Sequence, residues 1–213
     1  YHRTFDMPVL VTRSSNNYGP YQYPEKLVPL FVSNALDDQP LPLYGDGRNV
    51  RDWLYVEDNC AAIDLVLREG RPGETYNVGG GNEVENLDLT RRILKLVGKD
   101  ARLIRPVADR PGHDRRYAVD CTKLRALGWT PRTSFETGLA VTVAWYRDHR
   151  AWWEPIKSGE FRRYYEAQHR GLSQARTGAG GGEPLGPSPD PASPPLSGRS
   201  RAGCPPGRAG TAR

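Results

Sequence analysis

Apolar residues in the first part of the chain occur alternately in short runs and in segments with helical spacing. Residues 8–12, PVLVT, form a short apolar run that predicts a buried strand. Behind Pro24, apolar residues recur every three or four positions, which predicts a helix. One face of this helix is expected to consist of Leu27, Leu30, Phe31 and Ala35.

The same alternation continues along the chain. Residues 40–47 predict a strand ending in a glycine turn, and residues 51–70 begin extended, before a helix that Asp58 can cap and Gly70 can end. Residues 74–81 predict a strand that runs into three glycines. Further on we expect a helix (87–98), a strand (101–107), a short helix (122–128) and one long helix (134–156). Strands and helices in turn predict an α/β domain.

The composition changes near Ser173. Residues 174–213 consist mainly of Gly, Pro, Ser, Ala and Arg, which can bury too little apolar surface to offset the entropy of folding. We therefore expect a folded part, residues 1–173, and a disordered tail, residues 174–213. A functional tail and a shifted reading frame in GC-rich DNA both account for this composition.

Charge, cysteines and hydropathy limit the class of protein. The net charge of +5 comes mostly from arginines of the tail, so no surface for nucleic acid is predicted. No apolar run approaches the ~18 residues of a membrane-spanning helix. Cys60, Cys121 and Cys204 are widely spaced, which predicts free thiols and no metal site. Because the chain starts at Tyr1 without a signal-like segment, we expect a fragment of a cytoplasmic protein.

The glycines at positions 79–81 are the first candidate for a ligand site, since phosphate loops follow strands. A dinucleotide-binding fingerprint needs a third glycine at position 84, which is Val84. A tight turn is therefore the simpler interpretation of these glycines, although the following Asn82 and Asn86 can still approach a ligand.

Arg51 and Asp52 form the second candidate. An arginine held at the start of a strand suits phosphate oxygens, because its planar guanidinium can donate two hydrogen bonds to one group. The alternative is a surface ion pair between the two neighbours, of little consequence for stability.

The loop of residues 105–120 is the third candidate. The turn at residues 111–112 is flanked by Arg110 and His113, which places a cation and a hydrogen-bonding group on one loop. A solvated charged loop explains the same residues. Taken together, the arginines, asparagines and tyrosines of these stretches favour a phosphorylated, hydroxyl-rich ligand. The sequence contains no GxSxG, HExxH or EF-hand pattern.

Five motifs in order resemble a known family: SNNYGPYQYPEKL, LPLYGDGRNVRDWLYVED, TYNVGGGNEVENLDL, RPGHDRRYA and WWEPIKSGEFRRYYEAQ. From Tyr1 to about His169 the chain resembles the C-terminal half of the dTDP-glucose 4,6-dehydratases, which are extended short-chain dehydrogenases/reductases. The resemblance implies the last strands of a Rossmann fold and a small α/β substrate-binding lobe.

The resemblance also implies roles for individual residues. Asn16 would contact the substrate, dTDP-glucose, and Asn17 would lie near the nicotinamide of the cofactor NAD. Arg51 and Arg110 would hold the diphosphate, and Asn86 and His113 would complete the nucleotide pocket. The rest of the substrate site would be lined by Lys26, Leu27, Pro42, Leu43 and Tyr44.

In this family NAD is recycled within one reaction. The sugar is oxidised at carbon 4, water is eliminated across carbons 5 and 6, and hydride returns to carbon 6, giving dTDP-4-keto-6-deoxyglucose, an intermediate towards deoxysugars such as rhamnose. Family members are homodimers.

The chain departs from the family in several places. No tyrosine has a lysine four places later, and the Thr-Asp-Glu group is missing, so no catalytic residue is assigned and we expect the chain alone to be inactive. Asn59 stands where a histidine is expected. Two alternatives remain: a UDP-sugar epimerase or decarboxylase of the same superfamily, and a non-catalytic nucleotide-sugar-binding module.

Overall fold

The computed structural model describes residues 1–159, so the predicted tail and its boundary near Ser173 lie outside the described residues. Within this range the helices are α1 (His2–Phe5), α2 (Leu27–Leu36), α3 (Val56–Glu69), α4 (Asn86–Val97), α5 (Thr122–Arg125), α6 (Phe135–Asp148) and α7 (Arg150–Ser158). The strands are β1 (Val11–Ser14), β2 (Asn16–Tyr18), β3 (Leu41–Tyr44), β4 (Val50–Tyr55), β5 (Thr75–Val78), β6 (Glu83–Glu85), β7 (Ile104–Val107) and β8 (Arg116–Tyr117). None of these helices is long and apolar enough to cross a membrane.

Most of the strand pairs are parallel. β1 pairs with β5, β2 with β4, β3 with β7, and β8 with β4, all in the parallel direction. β6 runs antiparallel to β4. Parallel neighbours need long, usually helical crossovers between them, and this arrangement confirms the predicted α/β class.

Strand β4 contributes to two apolar cores. Trp53 and Tyr55 lie in one core together with side chains of α2, α4 and α6, whereas Leu54 lies in the other with side chains of α3 and β5. This division follows from strand geometry, because successive side chains point to opposite faces.

β1 begins at Val11, later than the predicted start at residue 8. Residues 7–9 form a tight turn, in which the Val9 amide donates to the Met7 carbonyl, and this turn delays the strand. β5 is the one strand partner of β1 among residues 1–159, and Val11 is 45% exposed. Parallel strands are usually buried on both faces, so this sheet has an open edge in the described part of the chain.

The prediction that Asp58 caps α3 is wrong. The helix begins at Val56, and Asp58 lies in its first turn. Its buried carboxylate instead accepts hydrogen bonds from the backbone amides of Arg132 (2.9 Å) and Thr133 (3.0 Å). These partners are more than seventy residues away in sequence, so tertiary contacts determine the role of this carboxylate.

The prediction of one helix over residues 134–156 is also wrong, because the helix is broken at His149. The His149 ring stacks on Trp145, with ring centres 4.6 Å apart. After the break, the Trp153 indole donates to the Tyr146 carbonyl at 2.7 Å, near the end of α6. The break therefore places Trp153 in the core and satisfies a carbonyl of the last helical turn.

Replacing Asp58 by alanine should destabilise the fold. The substitution removes two buried hydrogen bonds to a carboxylate, so we expect the free energy of unfolding to fall by about 2–4 kcal/mol in a urea titration. Asp64→Ala, on the same helix, is the matched control, since its ion pair with Arg68 is exposed. The control should change stability by less than about 0.5 kcal/mol. Equal losses of stability in the two variants would contradict the role of the Asp58 carboxylate as a buried hydrogen-bond acceptor.

Candidate functional site

Asn16 and Asn17 lie where the chain crosses from one sheet to another. The Ser15 amide donates to the Val78 carbonyl at the end of β5, and the next residues pair with β4 as β2. Both asparagines are half-buried. The Asn17 Nδ2 donates to the Ser15 carbonyl at 3.1 Å, whereas its Oδ1 is buried and has no partner within residues 1–159. The junction thus presents a free hydrogen-bond acceptor.

Asn59, which replaces the histidine expected from the family resemblance, supports this junction. The Ser14 hydroxyl donates to Asn59 Oδ1 at 2.7 Å. This bond ties the end of β1 to the first turns of α3. A short amide side chain is therefore sufficient to hold the two elements together at this position.

Gln22 and Tyr146 hold the turn that follows β2, and sequence reasoning missed both. Gln22 Nε2 donates to the Asn17 carbonyl at 2.8 Å, and the Tyr146 hydroxyl donates to the Gln22 carbonyl. Burial raises the pKa of Tyr146 well above its usual range, so the hydroxyl stays a donor. The sequence gives no local signal for this contact, because the two residues are separated by 124 positions.

Arg51 is buried on β4, with 9% of its surface exposed. Its Nη1 donates to the Val50 carbonyl at 2.7 Å, and it forms no ion pair with a carboxylate of residues 1–159. Burial lowers the pKa of the Arg51 guanidinium, and the positive charge of Arg110 lowers it further, while Asp114 has the opposite effect. Two like charges therefore lie close enough to repel each other, as expected of a site for an anion.

Asp52 does not pair with Arg51, so the interpretation of these neighbours as a surface ion pair is wrong. Asp52 is buried, and its Oδ1 accepts from the Asn82 amide at 2.8 Å. Consecutive residues of a strand point to opposite faces, and the two charged side chains of β4 are separated for this reason.

The loop after β7 carries Arg110 and His113. The His113 side chain is only 5% exposed, and its Nδ1 lies 2.6 Å from Asp109 Oδ1, which lowers the pKa of Asp109. The imidazole ring also meets the ring of Tyr44, at the end of β3, edge to face. The structure therefore brings Tyr44 and His113 together, and places Arg110 on the same loop.

The other residues predicted to line the substrate site differ in how far they are buried. Asn86 is buried at the start of α4, and its Oδ1 has no partner in the described part of the chain. Lys26 is exposed and pairs with Glu25 at 2.7 Å, while Leu27 is half-buried at the start of α2. Pro42 and Leu43 are buried in β3, so they present no open surface.

The three glycines at 79–81 form a tight connection. They lead into β6, a short strand that the sequence analysis did not predict ahead of the helix α4. A Cβ atom on Gly79 would overlap the Asp52 carboxylate, and one on Gly80 would overlap the Trp53 carbonyl. Asn82 is occupied with β4, because its Nδ2 donates to the Trp53 carbonyl. Close backbone packing explains these glycines without a phosphate.

Unpaired buried polar atoms are concentrated in the segments that carry the predicted ligand residues. Within residues 1–159, the buried side-chain atoms without a hydrogen-bond partner are Ser15 Oγ, Asn17 Oδ1, Gln22 Oε1, Asn49 Oδ1, Trp53 Nε1 and Asn86 Oδ1. Buried polar groups without partners destabilise a fold. Their clustering favours a polar ligand that would supply the missing partners.

A family profile and curated proteins of known name both match this chain. The profile of the family described as GDP-mannose 4,6 dehydratase matches residues 1–142. The dTDP-glucose 4,6-dehydratase of Streptomyces antibioticus is 59% identical over 158 residues, which cover 74% of this chain and 47% of that protein. The chain thus spans about half the length of the curated relatives that it matches.

Solved structures extend the comparison. One solved relative is the dTDP-glucose 4,6-dehydratase from Streptomyces venezuelae, with NAD and TYD bound. It is 56% identical with a TM-score of 0.72, and the match covers 74% of this chain and 49% of the Streptomyces venezuelae chain. Another is the UDP-glucose 4-epimerase of Thermotoga maritima, solved with UDP-glucose. It is 33% identical with a TM-score of 0.64, and the match covers 69% of this chain and 48% of the Thermotoga maritima chain.

Replacing Tyr146 by phenylalanine should loosen the turn around Gln22. Loss of the hydroxyl leaves the Gln22 carbonyl without this donor, so we expect a loss of about 1 kcal/mol in stability and faster amide exchange of residues 17–23. Hydrogen exchange with mass spectrometry measures both local and global effects. Tyr117→Phe, at an exposed position, is the control and should change neither. Unchanged exchange in residues 17–23 of the Tyr146 variant would refute this role.

Proposed function

The chain belongs to the GDP-mannose 4,6 dehydratase family, and on that premise we propose that it supplies the nucleotide-sugar-binding half of a dTDP-glucose 4,6-dehydratase. The chain is 56% identical to the solved dTDP-glucose 4,6-dehydratase and 33% identical to the solved UDP-glucose 4-epimerase. This difference favours dTDP-glucose over a UDP-sugar as the substrate.

The pair of Arg51 and Arg110 is the observation that carries the proposal. Arg51 is buried without a carboxylate partner among the described residues, and the nearby charge of Arg110 disfavours its charged form. A diphosphate would remove this repulsion and accept several charge-assisted hydrogen bonds. The two arginines therefore hold the diphosphate of the substrate.

The remaining pocket residues would recognise the nucleoside and the sugar. Asn86 offers a free buried acceptor, Tyr44 and His113 form an aromatic wall, and Asn16 faces the sugar. Lys26 extends from the start of α2 and can swing from its exposed pair with Glu25 to the substrate. The family resemblance also assigns Leu27, Pro42 and Leu43 to the substrate site; Leu27 is half-buried and the other two are buried.

NAD is the cofactor of the proposed whole enzyme, and Asn17 is the residue of this chain that fits it. Its buried, unpaired Oδ1 suits an N–H donor such as the carboxamide of nicotinamide. When bound, NAD supplies reversible hydride transfer. The junction at Ser15 and the bond from Gln22 to the Asn17 carbonyl keep this acceptor in place.

The proposed reaction converts dTDP-glucose to dTDP-4-keto-6-deoxyglucose by oxidation, elimination of water and reduction. The residues of this chain bind and orient the substrate, and no Tyr-x-x-x-Lys motif is present among its 213 residues. The acid–base groups would therefore come from the other half of the enzyme. We place the whole enzyme in the cytoplasm as a homodimer; the free thiols Cys60 and Cys121 suit a reducing compartment.

Calorimetric titration with dTDP tests the proposal. We expect the chain to bind dTDP, and Arg51→Ala to weaken binding about 10- to 100-fold, since each hydrogen bond to a charged group contributes roughly 1.5–3 kcal/mol. Arg51→Lys should recover only part of this loss, because an ammonium group cannot form the bidentate contact. Arg68→Ala, which removes an exposed arginine of α3, is the control and should bind like the unmodified chain.

Different outcomes separate the alternatives. Equal affinity for UDP and dTDP would favour the UDP-sugar enzymes, and no binding of either nucleotide would overturn the proposal. Binding of dTDP without any response to NAD, in the presence of a complementing N-terminal half, would instead indicate a non-catalytic binding module.

A further inference from the structure

Asn49 is a buried asparagine that the family resemblance leaves without a role. It lies just before β4, two positions ahead of Arg51, and only 2% of its surface is exposed. An amide side chain is rarely buried unless its polar atoms have partners. The Asn49 Nδ2 has such a partner, whereas its Oδ1 has none within residues 1–159.

The contacts of Asn49 join three segments of the proposed diphosphate site. Its Nδ2 donates to the Asp114 carbonyl at 3.1 Å, in the loop that carries Arg110. Its own carbonyl accepts from the Asn86 amide at 3.0 Å, at the start of α4. Its chain neighbour Val50 donates to the Arg115 carbonyl at 2.8 Å. The loop, the helix start and β4 therefore meet at one residue.

The ion pairs that hold this loop are more exposed. Arg115 pairs with Asp46 at 2.9 Å and Arg116 pairs with Glu83 at 2.5 Å, and all four side chains are largely solvent-accessible. Exposed ion pairs are weakened by water and salt. The hydrogen bond from Asn49 Nδ2 to the Asp114 carbonyl is partly buried and is screened less than an exposed ion pair. The Asn49 side chain is therefore the anchor that ties the loop to the start of β4, while the His113 ring ties it to Tyr44 of β3.

We propose that Asn49 is a positioning residue, which fixes the Arg110 loop against β4 so that Arg110 and Arg51 can grip one diphosphate together. This inference rests on the proposed function, because it assigns Asn49 a part in the same nucleoside-diphosphate site. Asn49 acts through Arg110 and does not itself contact the phosphates.

A double-mutant cycle with dTDP as the probe tests this role in the full 213-residue chain. Asn49→Ala should weaken dTDP binding about tenfold, but less than twofold when Arg110 is already alanine, because the guanidinium that the loop positions is then absent. Additive effects of the two substitutions on dTDP binding would overturn the proposal.

Asn34→Ala is the matched control. Asn34 is also buried, and its Nδ2 also donates to a backbone carbonyl, that of Pro40 at 2.9 Å, but at the far end of α2. Its effect on dTDP binding should be below twofold in both backgrounds. Asn49→Ser, a smaller polar substitution, takes the place of Asn49→Ala if the alanine variant does not fold.

Hydrogen exchange of the ligand-free chain gives a second readout that does not depend on nucleotide binding. Residues 109–116 should exchange faster in Asn49→Ala and at the unmodified rate in Asn34→Ala. Failure of the unmodified chain to bind dTDP would refute the proposed function, yet the exchange rates would still decide the positioning role. Unchanged exchange in residues 109–116 of the Asn49 variant would refute that role.

Discussion

Strand β4 is the element on which the proposed site depends, because each of its partner strands brings a segment with residues of that site towards Arg51. β2 carries Asn16 and Asn17 along one side of it. β6 leads directly to Asn86, and β8 continues from the loop of Arg110 and His113. The pairing of one strand thus gathers residues that are up to about a hundred positions apart.

The alternation of side chains on β4 also explains the charge of the site. Asp52 points away from Arg51 and accepts a hydrogen bond from the Asn82 amide. Arg51 is left on the other face, where the charge of Arg110 acts against it and that of Asp114 compensates in part, and it forms no ion pair within residues 1–159. Such an arrangement is unfavourable in the free protein and becomes favourable when an anion binds, which is typical of binding sites rather than of structural cores.

The order of the longer strands and helices could be predicted from the sequence, because hydrophobic spacing reports local structure. The short strands β2, β6 and β8 were not predicted, although they are the partners of β4. The helix break at His149 and the partners of Asp58 could not be predicted either, since both depend on residues brought near by folding. Contacts that form only on folding also limited the prediction of the site. Motifs indicated Arg51 and His113, but Tyr146, Gln22 and Asn49 act through contacts that no short pattern encodes.

A crystal structure of the chain with dTDP bound tests the central claim most directly. The account predicts that oxygen atoms of the diphosphate lie about 2.7–3.2 Å from guanidinium nitrogens of both Arg51 and Arg110. A nucleotide bound elsewhere, or a diphosphate held without Arg51, would contradict it.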